Sequence, residues 1–409
     1  MRTHYDVLIV GGGHSGAQAA LHLRNLKYAG SIAVVSDELV PPYERPPLSK
    51  EYMSGEKAFE EFLIRPLASW ESNHIELLLG HRVLRVDSEQ RTVFLSKGKV
   101  IGYGSLIWAT GGAPRALTCP GVATEGIYSI RNRANVDAIL GHLAHTNHVL
   151  IIGGGYIGLE AAAVLRKLNK DVTLLEALDR VLARVAGREL SMFVEQEHRR
   201  HGVRLRTGTT VARIESRDGR AEAVVLADGE RIKANLIIAG IGIVPTTDPL
   251  TQAGARGSNG VDVDEFCRTS LENVYAIGDC AAHPNRFAGG ARIRLESVQN
   301  ANDQARAAVH HILGKALPYD AVPWFWSNQY DLKLQTVGLS SRSDQVVVRG
   351  DISRRSFSLI YLLQGKVIAL DCVNAVRDYV HGRHLVLSEA AIDVKRLADG
   401  SIPLKSLGG

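Results

Sequence analysis

Residues 149–165 read VLIIGGGYIGLEAAAVL, and residues 7–23 have already read VLIVGGGHSGAQAALHL. Each stretch is an apolar run, a glycine turn, then small and apolar residues at helical spacing: strand, turn, helix. In the first, the pattern GxGxxG falls on Gly11, Gly13 and Gly16; in the second it falls on Gly153, Gly155 and Gly158. The first glycine of such a pattern makes a tight turn, and the second lets the backbone approach a pyrophosphate. The third lets the helix pack close to the strand, with its N-terminal N–H groups aimed at phosphate. Asp37 lies about 20 residues past the first turn, at the end of the second strand, where a ribose-binding acid belongs. Glu38 is the alternative. After the second turn the next strand ends at Glu176. A carboxylate there binds both ribose hydroxyls and repels a 2′-phosphate, which favours NADH over NADPH. Arg184 is read as a pyrophosphate or adenine contact; a solvated helix start is the competing reading for it and for Arg180. Ile157 and Gly242 complete the candidate dinucleotide set. Two turns imply two dinucleotides bound at once, and flavin with nicotinamide is the natural pair for passing electrons between them.

Composition sets bounds on this reading. A chain of 409 residues implies two or three domains. Hydrophobic residues at 45% and charged residues at 22% are ordinary for a globular protein. The cysteines Cys119, Cys267, Cys280 and Cys372 are scattered, with no CxxC and no Cys/His set at zinc spacing. They suit a reducing cytoplasm, and each reads as a small buried hydrophobe. His142, His145 and His148 straddle a helix end and a strand start, so no metal site is expected. No apolar run approaches the ~20 residues of a membrane span, and the first one ends in a glycine turn. The net charge is +5, but the basic residues are spread out. That argues against nucleic acid and leaves room for a surface that docks an acidic protein.

The pattern along the chain is α/β. Strands are expected at Asp6–Val10, Ser31–Ser36, Glu76–Val86, Thr92–Leu95 and Ser105–Thr110, with a helix at Ala17–Leu26. Residues 41–50, PPYERPPLSK, read as a proline-stiffened loop. The pattern then restarts: helix Ala134–Leu143, strand His148–Ile152, helix Leu159–Leu168, and strands Asp171–Glu176, Ala221–Leu226 and Leu236–Ile241. A buried strand at Asn273–Gly278 and a long helix at Gln299–Leu313 follow. Beyond Pro318, alternation at Gln345–Arg349, Ser356–Leu363 and Lys366–Val373 predicts an antiparallel sheet, then helices near Ala375–Leu387 and Ser388–Leu397.

Seven stretches in this order carry a resemblance over essentially the whole chain. They are the two glycine turns, PYERPPLSK (42–50), LIWATGGAPR (106–115), NVYAIGDCA (273–281), RLESVQNANDQA (294–305) and WFWSNQYDLKLQ (324–335). The chain resembles the FAD- and NADH-dependent ferredoxin reductases of multi-component oxygenase systems, the putidaredoxin reductase and biphenyl dioxygenase reductase group. The resemblance implies two Rossmann-like dinucleotide-binding domains of glutathione-reductase type plus a C-terminal α+β domain. The expected division is 1–112 and 246–318 for FAD, 113–245 for NADH, and 319–409 for the last domain. It implies that Ser15, Asp37 and Val83 contact the adenosine-diphosphate half of FAD, and that Arg45 and Arg131 face the diphosphate. Asp279 would bind the ribitol, Val298 would offer its backbone N–H to the flavin carbonyl, and Trp326 would lie near the isoalloxazine. Ser15, Gly104 and Thr246 depart from the family's usual Ala, Asp and Asn.

Lys50 and Glu160 are the expected catalytic pair, with an ordinary salt bridge as the competing reading. Hydride arriving at a flavin puts negative charge on the ring; a positioned ammonium stabilises that charge, and a carboxylate holds the ammonium. The resemblance implies a 2Fe–2S ferredoxin as partner; the chain itself has no cluster-binding cysteine set, so the cluster would sit on another chain. Arg292, Arg294 and Lys333 are candidates for steering an acidic ferredoxin, or are merely solvated. Three other readings stay open. One is a rubredoxin reductase, another an NADH-sensing flavoprotein of apoptosis-inducing-factor type. The third, a disulfide or peroxide reductase, needs a redox cysteine that the 42–50 loop lacks.

Overall fold

The computed structural model describes residues 2–408. The chain forms two compact units. The first contains the N-terminal residues up to Arg45, Ala58–Ala113 and Val244–Pro323; the second contains Pro46–Lys57, Pro114–Ile243 and everything from Trp324 onward.

The first unit is built on the strand His4–Val10, which pairs in parallel with Ile32–Ser36 on one side and Val100–Trp108 on the other. Ile75–Leu79 extends the sheet beyond Ile32–Ser36, and Val274–Ala276 pairs with the end of Val100–Trp108, all parallel. A strand buried on both faces needs a continuous apolar run, and LIV supplies it. Alternation then divides the core. Val7 and Ile9 pack with Ala17, Ala20, Ala305 and Ala308, whereas Leu8 and Val10 pack with Leu106, Trp108 and Val83. Each such buried Val, Leu or Ile contributes roughly 1.5–3 kcal/mol. The expected single strand over Glu76–Val86 is instead two, Ile75–Leu79 and Val83–Asp87. Gly80, at φ +70°, breaks it, and the second strand turns antiparallel against Thr92–Leu95.

In the second unit the strands Arg204–Arg206, Asp171–Leu175, His148–Ile152, Leu236–Ala239 and Ile127–Tyr128 lie in that order, all parallel. The helix Arg188–Arg200 precedes Arg204–Arg206. It escaped the sequence reading because it is rich in charge, yet Leu190, Phe193, Val194 and Glu197 fall at i, i+3, i+4 and i+7 and all are buried. The C-terminal part is a five-stranded antiparallel sheet in the order Trp324–Gln329, Leu332–Gly338, Lys366–Val373, Ser356–Leu363, Gln345–Asp351. The hairpin Trp324–Gly338 was not read as strand from sequence. The helix Val376–Leu387 follows the sheet. The helix expected at Ser388–Leu397 is confined to Val394–Ala398, because Asp393 accepts from the N–H groups of Lys395 and Arg396 and starts the helix there. Residues 46–57 cluster with this second unit through Lys50–Glu160, Tyr52–Asp137 and Glu56–Lys167 contacts.

Candidate functional site

In the first unit, the strand His4–Val10 ends in the first glycine turn. Gly11 has φ +119°, and a Cβ there would stand 2.2 Å from the carbonyl oxygen of Ala109. A Cβ at Gly16 would stand 1.9 Å from the carbonyl oxygen of Gly11. Both glycines are therefore required by the protein itself. Gly13 is different: the nearest atom to a Cβ there is Arg45 Nε at 4.0 Å. The helix His14–Asn25 begins on Gly13 with no side-chain cap, so its first N–H groups are left for an outside acceptor. That combination of open space and uncapped donors fits a pyrophosphate. Burial, with Arg45 nearby, pushes His14 down to about 4, so it is neutral near pH 7.

Asp37 and Glu38 separate clearly. The Glu38 carboxylate accepts from Tyr43 OH at 2.6 Å and Arg45 at 2.6 Å. Asp37 is exposed and bonds to the exposed Arg82, at 2.8 Å. Asp37 is the acid left accessible at this strand end. Ser15 is buried against the Gly278 turn, where an added Cβ would stand 2.7 Å from its Oγ. Asp279 sits in the turn Gly278–Cys280, which is held by Gly278 N–H donating to Gln304 Oε1 at 2.7 Å. Val83 is buried at the start of its strand. Val298 opens the helix Val298–Ile312, and Ser297 caps that helix by accepting from Asn300 N–H. The Val298 N–H at this first position has no intrahelical acceptor.

The second unit repeats the cradle. Gly153 has φ +113°, and its added Cβ would meet the Gly240 carbonyl oxygen at 2.3 Å; that of Gly158 would meet the Gly153 carbonyl oxygen at 2.1 Å. Gly155 faces no atom within 4 Å, and the helix Tyr156–Lys167 starts on it without a side-chain cap. Glu176 accepts from Gly154 N–H at 2.6 Å through Oε2 and from Leu178 N–H at 2.8 Å through Oε1, so the carboxylate is fixed beside the turn. The two arginines also separate. Arg180 folds back on Asp179 and the Ala183 carbonyl, whereas exposed Arg184 places its guanidinium 3.6 Å from where a Gly242 Cβ would be. Ile157 is exposed on the first turn of the helix, and Arg131 lies just before the helix Arg133–Leu143.

Lys50 and Glu160 meet. Lys50 Nζ donates to Glu160 Oε2 at 2.5 Å and to the Pro46 carbonyl at 3.2 Å. Glu160 is only 3% exposed. Ser49 O–H also donates to Oε2, at 2.6 Å, and Ser327 O–H to Oε1, at 2.7 Å. Burying an ion pair is expensive, and these extra donors offset the loss of water around the carboxylate. Ser327 was missed in the sequence reading, although its neighbour Trp326 was not. Alternation along Trp324–Gln329 puts Ser327 and Trp326 on opposite faces of the strand. The half-buried Trp326 ring lies 5.5 Å from that of Trp324.

The steering cations divide. Arg294 donates to the Asp279 carbonyl at 2.7 Å and is largely buried, and Arg292 donates to the carbonyls of Val263 and Ala282. Their first task is structural. Lys333 is exposed. Among the described residues no group of three or more metal-ligating side chains occurs, the cysteines are free, and no helix is long and apolar enough to cross a membrane.

The comparisons agree on one relationship. Residues 5–305 match the model of the pyridine nucleotide-disulphide oxidoreductases, and residues 324–408 match the reductase C-terminal domain. The ferredoxin reductase subunit of 5,5′-dehydrodivanillate O-demethylase from Sphingobium sp. is 59% identical over 405 residues, covering 99% of this chain and 98% of its own. A ferredoxin–NAD(P)(+) reductase from Sphingomonas sp. is 54% identical over the same length, covering 99% and 98%. The crystal structure of a covalent putidaredoxin reductase–putidaredoxin complex superposes with a TM-score of 0.94 at 36% identity, covering 99% of this chain and 98% of that one.

Proposed function

The chain belongs to the pyridine nucleotide-disulphide oxidoreductase family, and on that premise we propose that it is an FAD-containing NADH:ferredoxin reductase serving a separate 2Fe–2S ferredoxin. The observation that carries the reading is the buried Lys50–Glu160 pair in a chain with two pyrophosphate-shaped glycine turns. When bound, FAD takes an electron pair from NADH as hydride and gives the electrons up singly. The first turn, Asp37, Arg45, Val83, Asp279 and Val298 would hold that cofactor. The second turn, Ile157, Glu176, Arg184 and Gly242 hold NADH, with Glu176 disfavouring a 2′-phosphate. Lys50 supplies the ammonium that stabilises arriving negative charge, and Glu160 fixes the ammonium.

A disulfide as acceptor is disfavoured by the cysteines. Cys267, Cys280 and Cys372 are buried, and burial raises their thiols above the usual range. A protein carrying a one-electron centre fits better, and free cysteines suit a reducing cytoplasm. The relatives' names place ferredoxin in that role. The test is anaerobic mixing with NADH, followed by a panel of 2Fe–2S ferredoxins and a rubredoxin. Fast flavin bleaching and efficient ferredoxin reduction are expected. Turnover on rubredoxin alone would reassign the acceptor, and slow bleaching with a persistent charge-transfer band would leave an NADH sensor.

A further inference from the structure

Glu160 is the end of a longer buried chain that the ion pair does not explain. Beyond Ser327, Gln329 Nε2 lies 3.1 Å from Ser327 Oγ, His198 Nε2 lies 2.8 Å from Gln329 Oε1, and Tyr330 OH lies 3.1 Å from His198 Nδ1. Ser327, Gln329 and His198 are all buried, His198 at 0% exposure. The carboxylate end sets the direction of every bond. A carboxylate only accepts, so the Ser327 O–H points at Glu160. Ser327 Oγ is then the acceptor for the Gln329 NH2, which turns the Gln329 carbonyl toward His198. His198 must carry its proton on Nε2, leaving Nδ1 bare to accept the Tyr330 O–H. Burial pushes His198 down to about 4, which agrees with a neutral ring. Four dipoles thus align toward one anion, and aligned hydrogen bonds strengthen one another in a low-dielectric interior. The chain joins three elements: the helix Tyr156–Lys167, the strand Trp324–Gln329 and the helix Arg188–Arg200. Its outer end is held too, since Tyr330 stacks on His201 with centroids 3.7 Å apart.

We propose that Ser327, Gln329 and His198 are positioning residues, a one-way hydrogen-bonded chain that fixes the Oε1 oxygen of Glu160 and through it the Lys50 ammonium. The proposal rests on the role given above to the Lys50–Glu160 pair. The two oxygens of Glu160 then have separate tasks: Oε2 holds Lys50, and Oε1 is locked by the C-terminal strand. Without the lock, the carboxylate rotates, and the ammonium loses the position that favours charge arriving nearby.

The test uses the holoenzyme variants Ser327→Ala, Ser327→Thr, Gln329→Met and Glu160→Gln, together with the Ser327→Ala/Glu160→Gln double variant. Stopped-flow reduction by NADH gives the limiting rate and the apparent NADH dissociation constant, and redox titration without NADH gives the flavin midpoint potential. The expectation for Ser327→Ala is a limiting rate about tenfold lower, on the scale of one lost hydrogen bond to a charged group, with a more negative potential and NADH affinity within about twofold. Ser327→Thr restores all three, because it keeps the hydroxyl that donates to the carboxylate. Gln329→Met gives the same effect more weakly. In the Glu160→Gln background, Ser327→Ala adds no further loss, because it acts through that carboxylate. Wild-type rate and potential in Ser327→Ala, with Glu160→Gln slow, would overturn the chain and leave the ion pair's role intact. Equal, additive losses in both backgrounds would overturn it as well. Wild-type rates in Glu160→Gln would instead remove the catalytic reading of the pair itself.

Discussion

At the residue scale, two buried acids in the second unit behave differently because of what surrounds them. Glu160 has three donors on its two oxygens, including a lysine ammonium. Lys50→Met removes that ammonium and leaves both serine donors. Losing one preorganised stabilising group at a centre of developing charge lowers rates by about a hundredfold. The limiting rate of flavin reduction in stopped flow is expected to fall by that order, with FAD content unchanged. Among the described residues no cation pairs with Asp371, and Tyr361 O–H donates to it at 2.7 Å. Burial pushes its carboxyl from the usual 3.8 up to about 7. The sign of the stability effect follows. Between about pH 4 and pH 7 the folded chain keeps a proton that the unfolded chain has lost, so stability declines as pH rises through that window and levels off above it. Asp371→Asn keeps an acceptor for Tyr361 and removes the titration. Denaturant unfolding at pH 8 is expected to show the variant more stable than the parent, by up to ~4 kcal/mol, with the difference shrinking toward pH 4. A variant less stable at pH 8 would show that the ionised Asp371 is held by something other than Tyr361.

At the element scale, the glycine turns separate folding from binding within six residues. A methyl group at Gly158 would press on the Gly153 carbonyl oxygen at 2.1 Å, but one at Gly155 would meet nothing within 4 Å. Gly158→Ala is therefore expected to lose roughly 2–3 kcal/mol of stability in denaturant titration. Gly155→Ala should unfold as the parent does, yet bind NADH at least tenfold more weakly by fluorescence titration, because its methyl occupies the phosphate's approach. Equal NADH affinity in Gly155→Ala would remove the pyrophosphate from this turn. The turns were legible in the sequence because their glycines follow a local spacing, and so were the strands buried on both faces. Ser327, Gln329 and His198 were not legible. Each has a partner more than 100 positions away in sequence, as in the 131-residue step from His198 to Gln329. The signal available was the apolar spacing of Leu190, Phe193 and Val194, which fixes the helix that carries His198 but not what the histidine touches. Spacing alone put Asp37 ahead of Glu38, but what surrounds the two acids was not legible: the coordinates show Glu38 held by Tyr43 and Arg45.

At the scale of the whole molecule, charge decides how a partner arrives. The chain carries a net +5 and a sequence pI near 9.0. Many of its arginines are spent internally: Arg349 donates to the carbonyls of Leu397, Asp399 and Ile402 and pairs with Asp378, which ties down the C-terminal segment. Arg292 and Arg294 are likewise tied to backbone carbonyls. Arginine donors free for a partner are therefore fewer than the composition suggests; of the candidate cations from sequence Lys333 and Arg292 stand exposed, Arg292 with its guanidinium held by the carbonyls of Val263 and Ala282. Association with an acidic ferredoxin should still be steered, since long-range fields act on encounter before contact. Raising ionic strength shrinks the Debye length from about 10 Å at 0.1 M to about 3 Å at 1 M. Over that range kcat/KM for ferredoxin is expected to fall about tenfold, while the rate of flavin reduction by NADH barely moves. Lys333→Glu should lower the low-salt kcat/KM by about threefold and flatten its salt dependence, with little change at high salt. A salt dependence identical to the parent's would assign the steering to the summed field of the fold rather than to this strand.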